Sequence, residues 1–434
     1  MNYPKSEALY NRACQYMSGG LHSNGRNRKP HPIYMQSAKD ACVFDVDGNR
    51  YVDLIMGNGT MILGHDNEEF KARMAEYIAA NGNLVTGFDS KLSVDAAEKF
   101  LKFTGNERVR FTNTGTEAVT HIIHIARYAT GRNTIAVMEG GYDGWCDMIY
   151  VNSFAPLSKV GDISRPNSVP GTNGLDPDVV QRTLVLPYNN IEASEKLIRE
   201  HKDDLAAIIL EPIMIDIGFV EATPEYIRFL RKICDELGIV LVFDELLTGF
   251  RITKGGCQEY FGVRADLCMY GKAYANGYIT AAVSGKAKYM DLTAPGGPVA
   301  WLGTFNGHQI SNAAICATLD MMESGEVTKT IMSNADALRE EFNAMAAHKG
   351  VSAHMLGKGG HFQVYFTEKA PTNYREAAVT DPAMYSKYVQ SLQENGVWCS
   401  QAPLSHHVLS LKHDRAILDE LIEKMGVALD AATK

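Results

Sequence analysis

The chain has 434 residues, of which 45% are apolar and 21% are charged, and this length can bury a core divided into two or three domains. Its formal net charge of −9 argues against a nucleic-acid or anionic-membrane partner, because either would require a basic face. No run approaches the ~18 apolar residues of a membrane span, and residues 1–7 lack the basic and apolar regions of a signal peptide.

The N-terminal part is predicted to hold a helix, a loop and two strands. The helix covers roughly residues 5–17 and is followed by a glycine- and basic-rich loop at 19–28. Residues 41–54 alternate in hydrophobicity on either side of Asp47-Gly48, which predicts two strands joined by a tight turn.

The middle of the chain predicts a mainly parallel sheet. From about 70 to 300, apolar runs alternate with amphipathic helical segments. The stretch 152–176 is rich in Ser, Pro, Gly and Asn and is too long for a simple connection, so we interpret it as a candidate active-site loop. A helix over 308–323 is predicted to lead into a C-terminal domain that ends in a helix over 414–430.

An aspartate and a lysine follow two of the predicted strands. The apolar run 239–243 ends at Asp244, and the run 267–270 delivers Gly271 and Lys272 to the same edge, where open α/β sheets bind ligands. This pair suits pyridoxal phosphate, because an aspartate can hold the pyridine nitrogen protonated while a lysine amine forms a Schiff base. The pair alone does not establish a cofactor site, since most lysines near strand ends are solvated.

The strand 109–111 is followed by a glycine turn that opens a helix. Free backbone N–H groups and the helix dipole make such a turn a candidate anion site. The alternative is an ordinary helix cap by Thr114 or Thr116.

Three further strand ends carry candidate ligand groups. Tyr142 lies among glycines, where it could lie flat on a planar ligand or be a packed loop aromatic. Glu211 ends the strand 207–210, and Thr304 lies in a small-residue turn with a hydroxyl that could reach a phosphate. Candidate groups at four successive strand ends favour one shared ligand site.

These residues together carry a family resemblance. The chain resembles the fold-type I, class III pyridoxal phosphate-dependent aminotransferases, and most of all the branch with glutamate-1-semialdehyde 2,1-aminomutase and the β-amino acid transaminases. The resemblance extends from Gly19-Gly20 to the last helix. Its motifs are Asp47–Tyr51, Phe111–Ala118, Tyr142–Gly144, Glu211-Pro212, Phe243–Arg251, Gly271-Lys272 and Gly303-Thr304.

The resemblance implies an α/β fold with a mainly parallel seven-stranded sheet and a smaller α+β domain. It implies an N-terminal segment, 1–68, that contributes to the small domain and the substrate site. The large cofactor-binding domain would span 69–310 and the C-terminal small domain 311–434.

The resemblance also implies roles around the ring of the cofactor. Lys272 would form the Schiff base and shuttle the proton, Asp244 would pair with the pyridinium nitrogen, and Glu211 would belong to the cofactor site. Tyr142 would stack on one ring face, and Leu246 would take the place of the family's usual valine on the other.

For the phosphate, the resemblance implies Gly115 and Thr116 from one subunit and Thr304 from its partner. The active protein would therefore be a homodimer with shared sites. Arg26 lies in the glycine-rich loop where the related aminomutases carry a carboxylate-binding arginine, so it is the candidate substrate ligand, with Arg28 as the substitute. A guanidinium fits a carboxylate with two parallel hydrogen bonds.

Three departures from the family pattern lie close to the predicted site. Asp143 stands where the family usually has histidine, the run 273–278 replaces a glycine-rich run, and His308-Gln309 replaces Asn-Pro. The last two favour a specialised transaminase.

Other candidate ligands are better explained structurally. His121 and His124 lie three apart without an evident third ligand, so no metal is predicted, and His406-His407 is expected to cap a packed turn. The eight cysteines include no Cys-x-x-Cys pair, which is typical of a reducing cytoplasm.

The predicted function is transfer of an amino group between a carboxylate-bearing amino compound and a keto acceptor, through an external aldimine and pyridoxamine phosphate. The alternative is an intramolecular aminomutase of the glutamate-1-semialdehyde type, which would share every cofactor residue. A non-catalytic cofactor-binding protein is disfavoured because Lys272 and Asp244 are both present.

Overall fold

The computed structural model of the protein describes residues 1–82 and 85–434. Its strands are β1 (Met35–Lys39), β2 (Cys42–Asp45), β3 (Arg50–Asp53), β4 (Arg108–Thr112), β5 (Thr134–Met138), β6 (Gly161–Asp162), β7 (Arg165–Pro166), β8 (Thr183–Leu186), β9 (Leu205–Leu210), β10 (Ile213–Met214), β11 (Val220–Glu221), β12 (Val240–Glu245), β13 (Leu267–Gly271), β14 (Ala281–Gly285), β15 (His354–Lys358), β16 (His361–Tyr365), β17 (Val397–Trp398) and β18 (His407–Val408).

The helices are α1 (Pro4–Ala13), α2 (Met56–Gly59), α3 (Glu68–Ala80), α4 (Lys91–Thr104), α5 (Gly115–Thr130), α6 (Pro177–Gln181), α7 (Ile191–Glu200), α8 (Pro224–Leu237), α9 (Gly256–Phe261), α10 (Ala287–Met290), α11 (Gln309–Met322), α12 (Glu326–His348), α13 (Tyr374–Ala377), α14 (Pro382–Glu394) and α15 (Arg415–Ala432). Short 3₁₀ turns lie at Ser18–Gly20, Asn24–Arg26 and Lys272–Ala275.

A seven-stranded sheet forms the centre of the fold, with the strand order β4-β14-β13-β12-β9-β5-β8. The neighbours from β13 to β8 pair in parallel, whereas β14 runs antiparallel to both β13 and β4. Every residue of β5, β9, β12 and β13 is buried, which is typical of parallel strands with helices on both faces. The predicted α/β fold with a mainly parallel seven-stranded sheet is confirmed.

Local sequence explains where the surrounding helices begin and end. In α8, the Thr223 side chain accepts the Tyr226 N–H, and Pro224 occupies the first turn, where no N–H is required. Gly238 ends the helix with a φ of 65°, which glycine adopts at little cost. The apolar side chains of α8 are buried in the same core as side chains of β9 and β12.

Two smaller sheets flank the large one. β17, from the C-terminal part, pairs in parallel with β3 in the sheet β1-β2-β3-β17, so both ends of the chain build one layer. The other sheet has the order β15-β16-β18. We propose a division of the chain into an N-terminal segment (1–68), a large domain (69–310) and a C-terminal domain (311–434). Helix α11 packs against α3 and α4, so it lies with the large sheet.

The structure differs from the sequence-based elements mainly at their ends. α1 stops at Ala13 rather than near residue 17, because the chain turns at Cys14 and reaches Gly19 and Gly20, both in left-handed backbone. Within 152–176 the chain forms the short hairpin β6–β7. Among the described residues no helix is both long and apolar enough to cross a bilayer.

Candidate active site

A cavity of about 390 Å³ lies at the carboxyl ends of β9, β12 and β13. Five of the residues predicted for the cofactor site line it: Tyr142, Glu211, Asp244, Leu246 and Lys272. They converge because parallel strands deliver their ends to the same edge of a sheet. The cavity has the size of a small-molecule site.

Asp244 and Lys272 reach the cavity from neighbouring strands. Asp244 ends a buried strand, and its Oδ1 atom accepts the Leu246 N–H at 2.7 Å, which fixes the carboxylate. Burial raises the pKa of Asp244 to about 7, although the Lys272 ammonium opposes that rise. Lys272 has a φ of 55°, a left-handed conformation that is uncommon outside glycine and that concentrates at functional sites.

Leu246 occupies the space above two glycines. A Cβ on Gly115 would lie 2.6 Å from Leu246 Cδ1, and a Cβ on Gly271 would lie 2.4 Å from Leu246 Cδ2. A side chain at either position would force the Leu246 side chain to move. This contact also places the N-terminus of α5 beside the cavity, although Gly115 and Thr116 are not among its lining residues.

The first turn of α5 separates the two candidate hydroxyls. Thr114 is the N-cap, and its Oγ1 atom accepts the Glu117 N–H at 3.2 Å. Among the described residues, no hydrogen bond occupies Thr116 Oγ1, so this hydroxyl remains available beside the N–H groups of the helix start. Thr114 is therefore an ordinary helix cap, and Thr116 remains the candidate anion ligand.

Aromatic rings line one side of the cavity. Tyr142 is 37% exposed and stacks on Phe154 with a centroid distance of 6.2 Å. Phe154 also lines the cavity, so the stretch 152–176 does contribute to the site. A planar ligand between Tyr142 and Leu246 would meet one aromatic and one aliphatic surface.

Two more buried acids lie close to Asp244. Asp143 and Asp244 are both buried, and each carboxyl group affects the ionisation of the other. Burial and the neighbouring Asp244 charge raise the pKa of Asp143 well above its ordinary range. Burial and the charges of Asp244 and Asp143 likewise raise the pKa of Glu211 well above its ordinary range. Asp244 has the N–H donor and the lysine, so Asp143 is the protonated partner.

A stability measurement tests this protonation. Because the folded-state pKa of Asp143 is raised, the unfolded chain loses this proton near pH 4, about the ordinary aspartate value, while the folded protein keeps it, and stability falls as pH rises. Asp143→Asn is therefore expected to melt at a higher temperature than the native protein at pH 7 and to lose that advantage towards pH 4. The difference in free energy of unfolding between the two proteins is expected to change by at most ~1.4 kcal/mol per pH unit. Asp203→Asn, at an exposed position, is the control. An equal gain at both pH values would contradict a proton on Asp143.

Several cavity residues had no sequence signal. Asn58, Asp216, Leu404, Ser405 and His406 line the cavity but lie in turns or short segments. The expectation that His406-His407 only caps a packed turn is wrong for His406, whose Nδ1 atom lies 2.6 Å from Asp216 Oδ1. His407 does serve the turn, because its Nε2 accepts the Ser400 N–H.

A second cavity of about 920 Å³ adjoins the first, and the two share Asn58, Leu404 and Ser405. Arg26 lines this outer cavity. Arg28 lines it too, but its guanidinium lies 3.3 Å from the centroid of the Trp398 ring and donates to Gln393 Oε1 and the Cys399 carbonyl. Arg28 is thus held by the protein, which leaves Arg26 as the candidate carboxylate ligand.

Thr304 is exposed and does not line either cavity of this chain. Its carbonyl accepts the Thr86 hydroxyl at 2.9 Å. The surrounding surface is apolar, since Leu302 is 78% and Phe305 57% exposed.

Several residues of two of the three departures pack inside the protein. Tyr274 is buried, with its hydroxyl 3.0 Å from Thr280 Oγ1, and Asn276 accepts the Leu63 N–H. Gln309 is buried and donates to the Phe88 carbonyl. None of 273–278, 308 or 309 lines the Lys272 cavity. Within one chain, these positions therefore give the Lys272 cavity no contact that would favour a specialised transaminase.

The donor set fits pyridoxal phosphate. A carboxyl group and an amine lie in one cavity, an aromatic ring and Leu246 line it, and a capped 16-residue helix begins beside it. The two glycines leave room for the Leu246 side chain, which lines the cavity beside the helix start.

Comparison with known proteins agrees with this fit. Residues 23–432 match the family model described as aminotransferase class-III, and the chain belongs to that family. Glutamate-1-semialdehyde 2,1-aminomutase from Methanococcus maripaludis (strain C5) is 35% identical over 433 residues, which cover 99% of this chain and 98% of the relative.

Solved structures show the same fold. An omega-transaminase from Sphaerobacter thermophilus superposes with a TM-score of 0.93 at 28% identity, covering 99% of this chain and 98% of that one. A transaminase with PLP bound gives a TM-score of 0.89 at 28% identity, with 100% and 98% coverage. The protein is an enzyme of the pyridoxal phosphate-dependent class III aminotransferase family, and the predicted cofactor is confirmed.

Proposed function

We propose that this enzyme moves an amino group between neighbouring carbons of a carboxylate-bearing amino compound, in the manner of a glutamate-1-semialdehyde 2,1-aminomutase. The observation that carries the proposal is the single cavity holding Lys272 and Asp244, joined to an outer cavity lined by Arg26. The M. maripaludis relative bears that name at 35% identity over nearly the whole chain.

Each residue has a distinct task in this proposal. The bound cofactor supplies an electron sink for the bond broken at the amine-bearing carbon. Lys272 Nζ would remove the proton from the carbon that loses its amine and would deliver a proton to the carbon that gains one. Asp244 remains anionic and holds a proton at the pyridine nitrogen. Tyr142 and Leu246 orient the planar ring, and Thr116 with the start of α5 binds the phosphate.

Intermolecular transamination is the second candidate. It is favoured by the omega-transaminase from S. thermophilus, whose structure superposes with a TM-score of 0.93. In that reaction the first product leaves and a separate keto acceptor takes the amine. The cofactor residues would be the same, so the two candidates differ in how long the first product stays bound.

Substrate chemistry separates the candidates. The purified enzyme, loaded with the aminated cofactor, is incubated with glutamate-1-semialdehyde alone. An aminomutase converts it to the isomer with the amine on carbon 1 without any added keto acid. A requirement for a separate keto acceptor would contradict the aminomutase and support the transaminase. No reaction under either condition would overturn both.

Arg26 is proposed to bind the substrate carboxylate, since it faces the outer cavity and Arg28 is engaged elsewhere. Arg26→Ala is expected to lower kcat/KM for an amino acid by an amount equivalent to roughly 2–4 kcal/mol of transition-state stabilisation, which corresponds to two hydrogen bonds to a charged group. A simple amine without a carboxylate is expected to be affected little. Steady-state kinetics of Arg26→Ala and Arg26→Lys on both substrates provide the check, and equal losses would rule out the role.

We also propose that Thr304 completes the phosphate site of a second chain, because it is exposed within an apolar surface. Mixing inactive Lys272→Ala chains with inactive Thr304→Asp chains is then expected to restore about one quarter of native activity, since half the dimers are mixed and each has one complete site. Activity is measured after subunit exchange has been shown with differently tagged chains. Exchange without recovery would argue for a site made by one chain.

A further inference from the structure

Two aromatic rings that line the Lys272 cavity, Tyr142 and Phe154, belong to the connection between β5 and β6. They stack with a centroid distance of 6.2 Å and an interplanar angle of 27°, and we call this pair the aromatic wall. Phe154 has a φ of 51°, a left-handed conformation that is unfavourable for a bulky side chain. Such a conformation persists only where the surroundings impose it, so other contacts hold Phe154 in place.

Buried polar side chains join the two halves of this connection. Gly140 donates its N–H to Asn152 Oδ1 at 3.0 Å, and the Ser153 hydroxyl donates to the Gly141 carbonyl at 2.6 Å. Asn152 is 0% and Ser153 5% exposed. These bonds connect the backbone that precedes one ring to the backbone that precedes the other, so the two rings are held together.

Helix α13, from the C-terminal part of the chain, packs against the connection through Tyr374. This side chain is buried, and its hydroxyl donates to the carbonyl of Ala155, the residue after Phe154. A Cβ on Gly140 would lie 2.5 Å from Tyr374 Cγ, so the Tyr374 ring also packs closely against the backbone at Gly140. One side chain of α13 therefore contacts the backbone close to both rings of the aromatic wall.

The next residue of α13, Arg375, contacts the two ends of the same connection. Its Nη2 atom lies 2.7 Å from Glu139 Oε1, and its Nη1 atom donates to the Gly161 carbonyl at 3.0 Å. Glu139 directly follows β5, and Gly161 begins β6. The Glu139 side chain is 7% exposed, so salt screens this ion pair less than a pair on the surface.

We propose that α13, through Tyr374 and Arg375, positions the aromatic wall for the cofactor ring. Neither side chain lines the inner or the outer cavity, so both act through the wall. This inference rests on the proposed function, in which Tyr142 orients the planar ring. A wall that is ordered before the ring arrives loses less freedom on binding. If α13 releases the wall, the apparent affinity for the cofactor falls with the fraction of protein that keeps the correct orientation.

Two substitutions release the wall in different ways. Tyr374→Phe removes only the hydroxyl that donates to Ala155, and Arg375→Gln removes the charge that pairs with Glu139. Each is expected to raise the dissociation constant of pyridoxal phosphate by about 3- to 10-fold, the range of one lost hydrogen bond. The constant is measured by absorbance titration of the cofactor-free protein. Circular dichroism of the bound cofactor's visible band, which depends on the orientation of its ring, is expected to change as well.

Tyr226→Phe and Arg231→Gln are the matched controls. The Tyr226 hydroxyl is buried and lies 3.0 Å from Ser194 Oγ, and Arg231 pairs with buried Asp266 at 3.0 Å. Neither Tyr226 nor Arg231 lines a cavity that contains Lys272 or Arg26. Both controls are expected to lower the melting temperature and to leave the dissociation constant and the dichroism of the cofactor unchanged.

A double-mutant cycle with Tyr142→Ala distinguishes positioning from a general loss of structure. Once the Tyr142 ring is absent, Tyr374→Phe and Arg375→Gln are expected to lose most of their effect on cofactor affinity, because there is little left to position. Arg375→Lys keeps the charge opposite Glu139 and is expected to restore part of the affinity. An equal fold-change with and without the Tyr142 ring would overturn the positioning role.

The cycle also separates this inference from the role of Tyr142 on which it rests. If Tyr142→Ala alone left affinity and dichroism unchanged, the proposed contact between Tyr142 and the cofactor ring would fail, and the inference with it. If Tyr142→Ala weakened binding while the two α13 variants behaved like their controls, only the inference would fail. Should Tyr374→Phe not fold, as judged by its melting curve, the same cycle with Arg375→Gln decides.

Discussion

Replacing Lys272 with alanine is expected to abolish turnover and the visible absorption band of the lysine-bound cofactor. Lys272 has the only amine among the residues that line the cavity with Asp244. Loss of its proton transfer alone would slow the reaction by ~10²–10⁴-fold, and loss of the covalent linkage adds to that. Absorbance spectra before and after borohydride treatment, together with steady-state rates, measure both effects.

The control for this change is Lys288→Ala, since Lys288 is exposed and does not line the cavity. It is expected to keep the native spectrum and rate. A Lys272→Ala protein that kept the band and turned over at the native rate would refute the assignment of the catalytic lysine.

Asp244→Asn is expected to bind the cofactor and react at least ~100-fold more slowly, the size of the loss when one preorganised electrostatic contact is removed. Asparagine is neutral, so it cannot hold a proton on the pyridine nitrogen and the ring becomes a poor electron sink. The lost charged hydrogen bond is also expected to weaken cofactor binding by roughly 1.5–3 kcal/mol. Single-turnover rates and cofactor titration measure the two effects separately.

Glu245 offers a matched control on the same strand. Its carboxylate is buried but accepts the Thr248 hydroxyl and the Cys257 N–H, away from the cavity. Glu245→Gln is expected to lower stability and leave the single-turnover rate within a few-fold of native. If Asp244→Asn had a higher single-turnover rate than Glu245→Gln, Asp244 would not be the pyridinium partner.

The sequence predicted the part of the site that lies at strand ends. Asp244, Lys272 and Glu211 each follow an apolar run, and the edge where such runs end is fixed once the sheet is parallel. Tyr142 follows β5 in the same way. For these residues, the end of an apolar run in the sequence is enough to predict their place at the edge of the sheet.

The rest of the site depends on packing between distant segments. Asp216 and His406 are 190 residues apart and meet only when the β10 turn lies against the segment before β18. Asn58 lines the cavity and has a left-handed backbone, with a φ of 56°. No periodicity or spacing marks such positions, because their roles arise from the fold.

Proximity in sequence also misled at two positions. Tyr274 lies two residues after Lys272, yet its ring packs among Phe100, Phe111 and Phe250 in the core. Arg28 lies two residues after Arg26, yet it stacks on Trp398. A side chain close to a site residue in sequence is often held by other parts of the protein, so contact with the ligand has to be read from the structure.

The most direct test of the account is the position of the cofactor on the chain. The purified protein is loaded with pyridoxal phosphate and reduced with borohydride, and its peptides are mapped by mass spectrometry. We expect one cofactor mass per chain, attached to the peptide that contains Lys272. Attachment to a different lysine, or no attachment at saturating cofactor, would contradict the account.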